Sequence, residues 1–370
     1  MADIFEAVKS GDVSVAEQFL NQGADISSAD NDGRTLLHLS CISGHYNLTD
    51  MLLKRGANIN ARDGKGRSPL HYALNQDVYD AYMLAFEQWK QNLLESLQKL
   101  HQLCQMITSV ISARAADHAS ENKIRIPKMP ALPIYPATPE NLDENHARVA
   151  RLLITGKADV NAKDQYGIDP LLLAVTSGNQ SLVNDVLDSG ADPASRDAEG
   201  ENAIHYAIAC GHEELVDLLH DRGVSLCNEA SLAKAVLSAA SLGFRHSVEY
   251  GLEHGVNANA VADGLPLLCA PVMTCHDEIT RLLLEHGADP NAKFVKHPLL
   301  FYSGMLSDMK SVRMLLESGA NPNAAVENIP LLFFSVLNDQ TDFTKILLEF
   351  GADHNSISHF IHGLQKKRIL

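Results

Sequence analysis

The stretch Asp63-Gly64-Lys65-Gly66-Arg67-Ser68-Pro69-Leu70-His71-Tyr72-Ala73 decides the fold. Asp63-Gly64 is a tight-turn dipeptide. Ser68-Pro69 is a helix start: the hydroxyl caps free amides of the first turn, and proline fits where no amide partner is needed. The same order recurs at Asp32-Gly33 with Thr35-Leu36-Leu37-His38, and at Tyr166-Gly167 with Asp169-Pro170-Leu171-Leu172. It returns at Glu199-Gly200 with Asn202-Ala203-Ile204-His205. A second landmark, Gly-x-[Asp/Asn/Ser], stands at Gly23, Gly56, Gly190, Gly223, Gly255, Gly287, Gly319 and Gly351. Each follows an apolar run such as Met51-Leu52-Leu53 or Leu282-Leu283-Leu284, and glycine there supplies the left-handed conformation that ends a helix. Neighbouring landmarks lie 33 residues apart in the first half and 32 in the second. Each unit therefore reads as turn, helix, short loop, helix.

These residues resemble the ankyrin repeat, whose period is about 33 and whose signature is T-P-L-H-x-A. Arg67 to Ala73 and Asn202-Ala203-Ile204-His205-Tyr206-Ala207 carry the likeness most fully. It divides the chain into nine units, 1–29, 30–62, 63–163 (interrupted), 164–196, 197–228, 229–260, 261–292, 293–324 and 325–356. The fold it implies is all-α, an ankyrin-repeat solenoid of about nine helix-turn-helix units. The function it implies is binding of another protein along a concave groove lined by hairpin tips and first helices. The candidate residues on matching positions are Asn31, Asp32, Arg34, Lys65, Arg67, Gln165, Tyr166, Glu199 and Glu201, and further along Phe294, Lys296, Val326 and Glu327. His38, His71 and His205 hold the signature position, where the family's imidazole ties neighbouring hairpins together. Asn58, Asn60 and Asn291 resemble sites hydroxylated in some eukaryotic members, although asparagine also simply tolerates turns. Degenerate repeats beside a unique insert resemble ankyrin proteins that intracellular bacteria deliver into host cells. That likeness adds the host-cell cytoplasm to an otherwise plain cytoplasmic expectation.

From Leu265 onward the helix start comes two residues early. Pro266-Leu267-Leu268, Pro298-Leu299-Leu300 and Pro330-Leu331-Leu332 replace Pro-Leu-His, and the last two hairpins lack Asp-Gly. These finger loops are expected to be shorter and less regular. The unit starting near Asn228 has no proline, only Lys234-Ala235-Val236-Leu237.

Between Ala57 and Ala158 one unit is 68 residues too long. Its first helix, from Ser68, and its second, His146 to Ile154, both remain legible, so residues 78–144 form an insertion inside the third unit. It divides the repeats into 1–77 and 145–356, ahead of a tail over 357–370. From Asp80 to about Ala116, Tyr82, Phe86, Trp89, Leu93, Leu97, Leu100, Cys104, Ile107 and Ile111 mark one helix face. At ~1.5 Å per residue that helix is roughly 55 Å long. Pro127, Pro130, Pro133, Pro136 and Pro139 then fall every third residue, the period of polyproline II. A long helix out and a stiff strand back closes the loop. The apolar face has two uses open to it: packing on that return and on neighbouring repeats, or, through Phe86, Trp89 and Leu93, binding a partner or a second copy of the chain.

Composition narrows the function. The formal net charge is −16, from 46 acidic and 30 basic side chains, and such a surface repels phosphate backbones, so no nucleic-acid partner is expected. No apolar run reaches the ~20 residues of a membrane helix, and Met1 to Asp12 lacks the pattern of a secretory signal. The six cysteines show no CxxC pair; Cys41, Cys210 and Cys269 sit at apolar helix positions as small hydrophobes. Cys269, Cys275 and His276 come nearest to a metal cluster but lack ligand spacing and a fourth partner. No nucleophile elbow, phosphate loop or H-E-x-x-H occurs. The expectation is a monomeric, non-enzymatic binding protein without metal or cofactor.

Overall fold

A computed structural model describes residues 3–74, 142–226 and 229–358, with isolated positions between 80 and 106. Phe86, Trp89, Leu93, the proline-rich return and the tail beyond 358 lie outside the described residues. The chain divides into two compact units, 1–85 with 137–235 and 86–136 with 236–370.

The first unit is built from helix pairs. They are α1 (Ile4–Ser10) with α2 (Val13–Asn21), α3 (Leu36–Ile42) with α4 (Tyr46–Lys54), and α5 (Pro69–Ala73) with α6 (Glu144–Thr155). Then follow α7 (Pro170–Thr176) with α8 (Gln180–Asp188), and α9 (Ala203–Cys210) with α10 (Glu213–Asp221). First helices are apolar almost all round: Pro170 to Val175 of α7 are all buried, as a helix packed on every side must be. Second helices keep one apolar stripe, Leu182, Val183 and Val186 in α8. α5 and α6 pack against one another although residues 74–143 separate them in sequence.

Sequence chemistry sets the helix starts. Asp143, Asp169 and Asn179 accept the amide three residues on. At Thr35, Ser68 and Asn202 the box is reciprocal, with His38, His71 and His205 reaching back to the cap.

Helix α11 (Glu229–Leu242), at 14 residues, takes up sequence that other repeats spend on a finger loop. It is followed in the second unit by α12 (Arg245–Glu253). Three similar groups come next: hairpin β1 (Val261–Ala262) and β2 (Leu265–Pro266) with α13 (Cys269–Thr274) and α14 (Asp277–Glu285); β3 (Lys293–Phe294) and β4 (His297–Pro298) with α15 (Leu299–Met305) and α16 (Met309–Glu317); β5 (Ala325–Val326) and β6 (Ile329–Pro330) with α17 (Leu331–Leu337) and α18 (Thr341–Glu349). The core of this unit includes Phe301, Tyr302, Phe334 and Phe343.

These hairpins correct the expectation of less regular fingers. All three share one antiparallel register, Val261 opposite Pro266, Lys293 opposite Pro298 and Ala325 opposite Pro330. Both turn residues have positive φ in each: Asp263 and Gly264, Val295 and Lys296, Glu327 and Asn328. That is the two-residue turn whose twist matches paired strands. The fingers are shorter, and they are regular among themselves.

Turns at the other end of each repeat are also stitched together. Asn259 Oδ1 accepts the Asp289 amide at 2.7 Å while its Nδ2 donates to the Gly287 carbonyl at 2.9 Å. Asn291 does the same to Asn321 and Gly319, and Asn161 to Asp192 and Gly190. Asn60 accepts the Asp159 amide at 2.9 Å, from 99 residues away in sequence. Of the asparagines singled out in the sequence, Asn60 and Asn291 thus bond the next repeat, while Asn58 accepts the Asn60 amide within its own turn.

Candidate protein-binding surface

Four fingers of the first unit are built alike, each on an aspartate. Asp30 Oδ1 accepts the amides of Asp32 and Arg34, and Asp63 those of Lys65 and Arg67. Asp164 accepts from Tyr166 and Ile168, and Asp197 from Glu199 and Glu201. A carboxylate taking two amides fixes a tip, and a main-chain bond closes each one, as from the Asp30 amide to Arg34 O at 3.0 Å. Burial works against ionisation at Asp30, yet the Arg34 amide, its guanidinium and the Asp32 amide outweigh it and hold the carboxyl below its ordinary value. Asp63 is likewise held down against burial, by the Tyr72 hydroxyl and two amides. Tyr206 repeats the Tyr72 contact, donating to Asp197 at 2.8 Å.

Successive fingers are joined by main chain. The Gly64 amide donates to Asp32 O at 2.8 Å, Gln165 to Lys65 O at 3.0 Å, and Ala198 to Tyr166 O at 2.9 Å. The middle bond joins residues 100 apart in sequence. Beneath the tips, His38 Nε2 donates to Arg67 O at 3.1 Å and His71 Nε2 to Ile168 O at 3.2 Å. Each Nδ1 accepts the amide of its own cap residue, so these partners require the neutral ring protonated at Nε2. Burial pushes His71 down to about 4. His205 is pushed down to about 4 by burial and by Arg196, and among the described residues its Nε2 meets no hydrogen-bond partner.

Fixed in this way, the tips expose Asn31, Asp32, Lys65, Gln165, Tyr166 and Glu199, with Arg34 and Glu201 half-buried. Arg34 is held by Asp30 and Asp32, and Glu199 pairs with Lys234 at 2.9 Å. Tyr166 is the exposed aromatic among them, 55 % accessible. Arg67 is a correction: it is 1 % exposed, so it cannot serve a partner directly. Its guanidinium is gripped from two sides at 2.8 Å by Asp80, with Asp164 at 3.5 Å. Sequence reading missed Asp80 because nothing in its surroundings marks it. The role of the finger aspartates, of which only Asp63 was read as a turn residue, was missed although they stand five residues before each helix cap, a spacing that the sequence does carry.

In the second unit Lys296 is exposed and Glu327 half-buried, whereas Phe294 and Val326 are corrections, both buried. Strand alternation explains them: Lys293 and Ala325 point out, so the next residue points in. Phe294 packs on Tyr302 with ring centroids 5.9 Å apart, and the Tyr302 hydroxyl donates to Phe294 O. Val261 and Val295 are exposed branched apolar residues of these hairpins. Val295 at φ +45° carries strain, since a β-branched residue resists this region.

A model of ankyrin repeats in three copies matches residues 4–88 and 141–230, and one of the single repeat matches 265–293. The chain belongs to the ankyrin-repeat family. Among curated relatives, human ankyrin repeat domain-containing protein 63 is 35% identical over 73 residues, 20% of this chain and 19% of that protein. Human Rabankyrin-5 is 34% identical over 90 residues, 21% of this chain and 8% of its own. A putative ankyrin repeat protein of Neisseria meningitidis is 33% identical over 90 residues, 23% of this chain and 36% of its own. The likeness thus spans well under half of each relative.

Of the cysteine and histidine candidates, Cys269 and His276 are engaged by neighbouring groups and Cys275 is exposed. Cys269 is buried with its sulfur 3.3 Å from that of Met273, and His276 donates to Ser241 O. Among the described residues no group of three or more His, Cys, Asp or Glu is placed to hold a metal. None of their helices is long and apolar enough to cross a membrane.

Proposed function

We propose that this ankyrin-repeat chain is a scaffold or adaptor of nine units, with an insertion in the third, that binds a protein partner through its finger row. The supporting observation is the ladder of main-chain bonds joining the tips at residues 32, 64–65, 165–166 and 198. A row fixed in this way offers side chains at set spacing without an ordering cost on binding. The insertion is a second surface of the same scaffold, and the chain works as a monomer.

The test compares the intact chain with the triple variant Lys65→Glu, Tyr166→Ala, Glu199→Lys, all exposed positions. After cross-linking in cell extract, proteins captured by the wild type are to be lost from the variant while its thermal melt stays unchanged. Equal capture by both would defeat the reading. Light scattering of the isolated chain separates a monomer from assembly through the insertion.

A further inference from the structure

Val336 is the uncovered member of a position that every repeat before it buries. At steps of 32 residues ahead of it stand Gly304, Val272, Ala240 and Ile208. All four are buried, whereas Val336 is 49 % exposed. The cover at Gly304 comes from the following repeat, since a Cβ there would strike the Phe343 ring. Val336 belongs to the last described repeat, and stacked repeats leave an apolar face open at their end unless something caps it.

The way the chain leaves this repeat says what the cap is. Residues 356–358 are helical. One and two repeats earlier the same register holds strands, β5 and β3. Four repeats earlier it holds the start of α11, at Glu229. The sequence carries the match onward. Phe360, Ile361 and Leu364 stand at the places of Leu232, Ala233 and Val236, all buried in α11, and Gly363 stands at that of the buried Ala235. With Ile357, these apolar residues step by three and four, which is one face of a helix. The likeness stops after Gln365. Lys367 and Arg368 fall where α11 buries Ala239 and Ala240, and cations there suit the C-terminal end of a helix.

We propose that residues 356–365 form a capping helix that seats Phe360, Ile361 and Leu364 on Val336, in the register in which α11 follows α9. The occupant of the open face is thus this chain's own tail, standing in for the first helix of a further repeat. A face closed in this way offers no end on which a second copy can stack. The proposal does not depend on the finger row.

A benzophenone side chain in place of Val336 is photo-activated in the dilute full-length chain, and cross-linked peptides are identified by mass spectrometry. The expected product is a link within one chain to the peptide that holds Phe360, Ile361 and Leu364. It is to be lost in Phe360→Asp/Leu364→Asp, and the same probe at Val261, exposed on another hairpin, is not to reach the tail. In the double variant without the probe, amides of α17 are to exchange about tenfold faster, as local opening allows once a cover is gone. Exchange over β1 and β2 is to stay unchanged, which shows that the rest of the unit keeps its fold. A Val336 probe that links to a second copy, or to no part of the tail, overturns the proposal. So does a probe at Val261 that captures the tail as well, or α17 exchange that is equal in the two chains.

Discussion

Acidification from pH 7.5 to pH 5 should destabilise the first unit through two histidines that the fold keeps neutral. His71 and His205 are buried, and each is pushed from 6.5 down to about 4. A group whose pKa is lower in the folded chain binds fewer protons there than when unfolded. Stability is therefore full above pH 6.5 and drains away as pH falls toward 4. At pH 5 the linkage relation gives about 2 kcal/mol lost per histidine and about 4 kcal/mol for the pair. His38 and His212 are lowered too, chiefly by burial, and add in the same direction. Asp30 and Asp63, whose carboxyls are held low, lose their contribution only in a more acidic window. Asp169, raised by burial, acts in the opposite sense, so the histidines have to be isolated by substitution. His71→Gln/His205→Gln serves this purpose, because Gln340 already bonds Gly304 O at 2.8 Å in the way that His276 bonds Ser241 O. Urea denaturation at both pH values, with peptide-resolved hydrogen exchange to assign the loss to the first unit, makes the measurement. An unchanged midpoint between pH 7.5 and 5, or a double variant that keeps the full pH slope, would refute the reasoning.

Other substitutions probe the packing directly. Gly178→Ala should cost about 3 kcal/mol, because φ is +69° and the new methyl would sit 2.6 Å from the His212 ring, whereas Gly190→Ala, at φ +94° in open space, should cost about 1 kcal/mol; paired thermal melts decide it. Arg67→Ala should cost about 3 kcal/mol by removing the buried guanidinium from Asp80 and Asp164, and Arg67→Lys should recover only part of that in the same melts, because an ammonium cannot bond both Asp80 oxygens in the same way. Among the described cysteines, Cys275 alone should react with a thiol reagent in the native chain. Cys41 and Cys210 are pushed up to about 12 by burial and Cys269 further still, and all three should label only in denaturant.

Much of this architecture was legible because repeats multiply weak signals. A single Ser68-Pro69-Leu70-His71 is a helix start among many, but its return at fixed spacing assigns the fold and exposes the excess length between Ala57 and Ala158. Burial at the tips was harder to read, since it depends on partners distant in sequence. Arg67 looks like a solvated finger residue until Asp80, thirteen residues on, is brought against it. Phe294 and Val326 were misplaced because the two-residue turns at Val295-Lys296 and Glu327-Asn328 contain no glycine to announce them, and the strand alternation that buries these residues follows from the turn. The long α11 was illegible for a related reason: alanines and leucines from Leu232 to Leu242 carry helix propensity but no mark of the finger that the helix replaces.

The account depends on the repeats before residue 75 meeting those after residue 141 as though they were consecutive. A protease site inserted after Ala116 and cut in the folded chain tests this most directly. The two fragments should co-elute in gel filtration without denaturant, and the Gln165 amide, bonded to Lys65 O, should stay protected from exchange. Fragments that separate under native conditions, or a Gln165 amide that exchanges freely once the chain is cut, would contradict it.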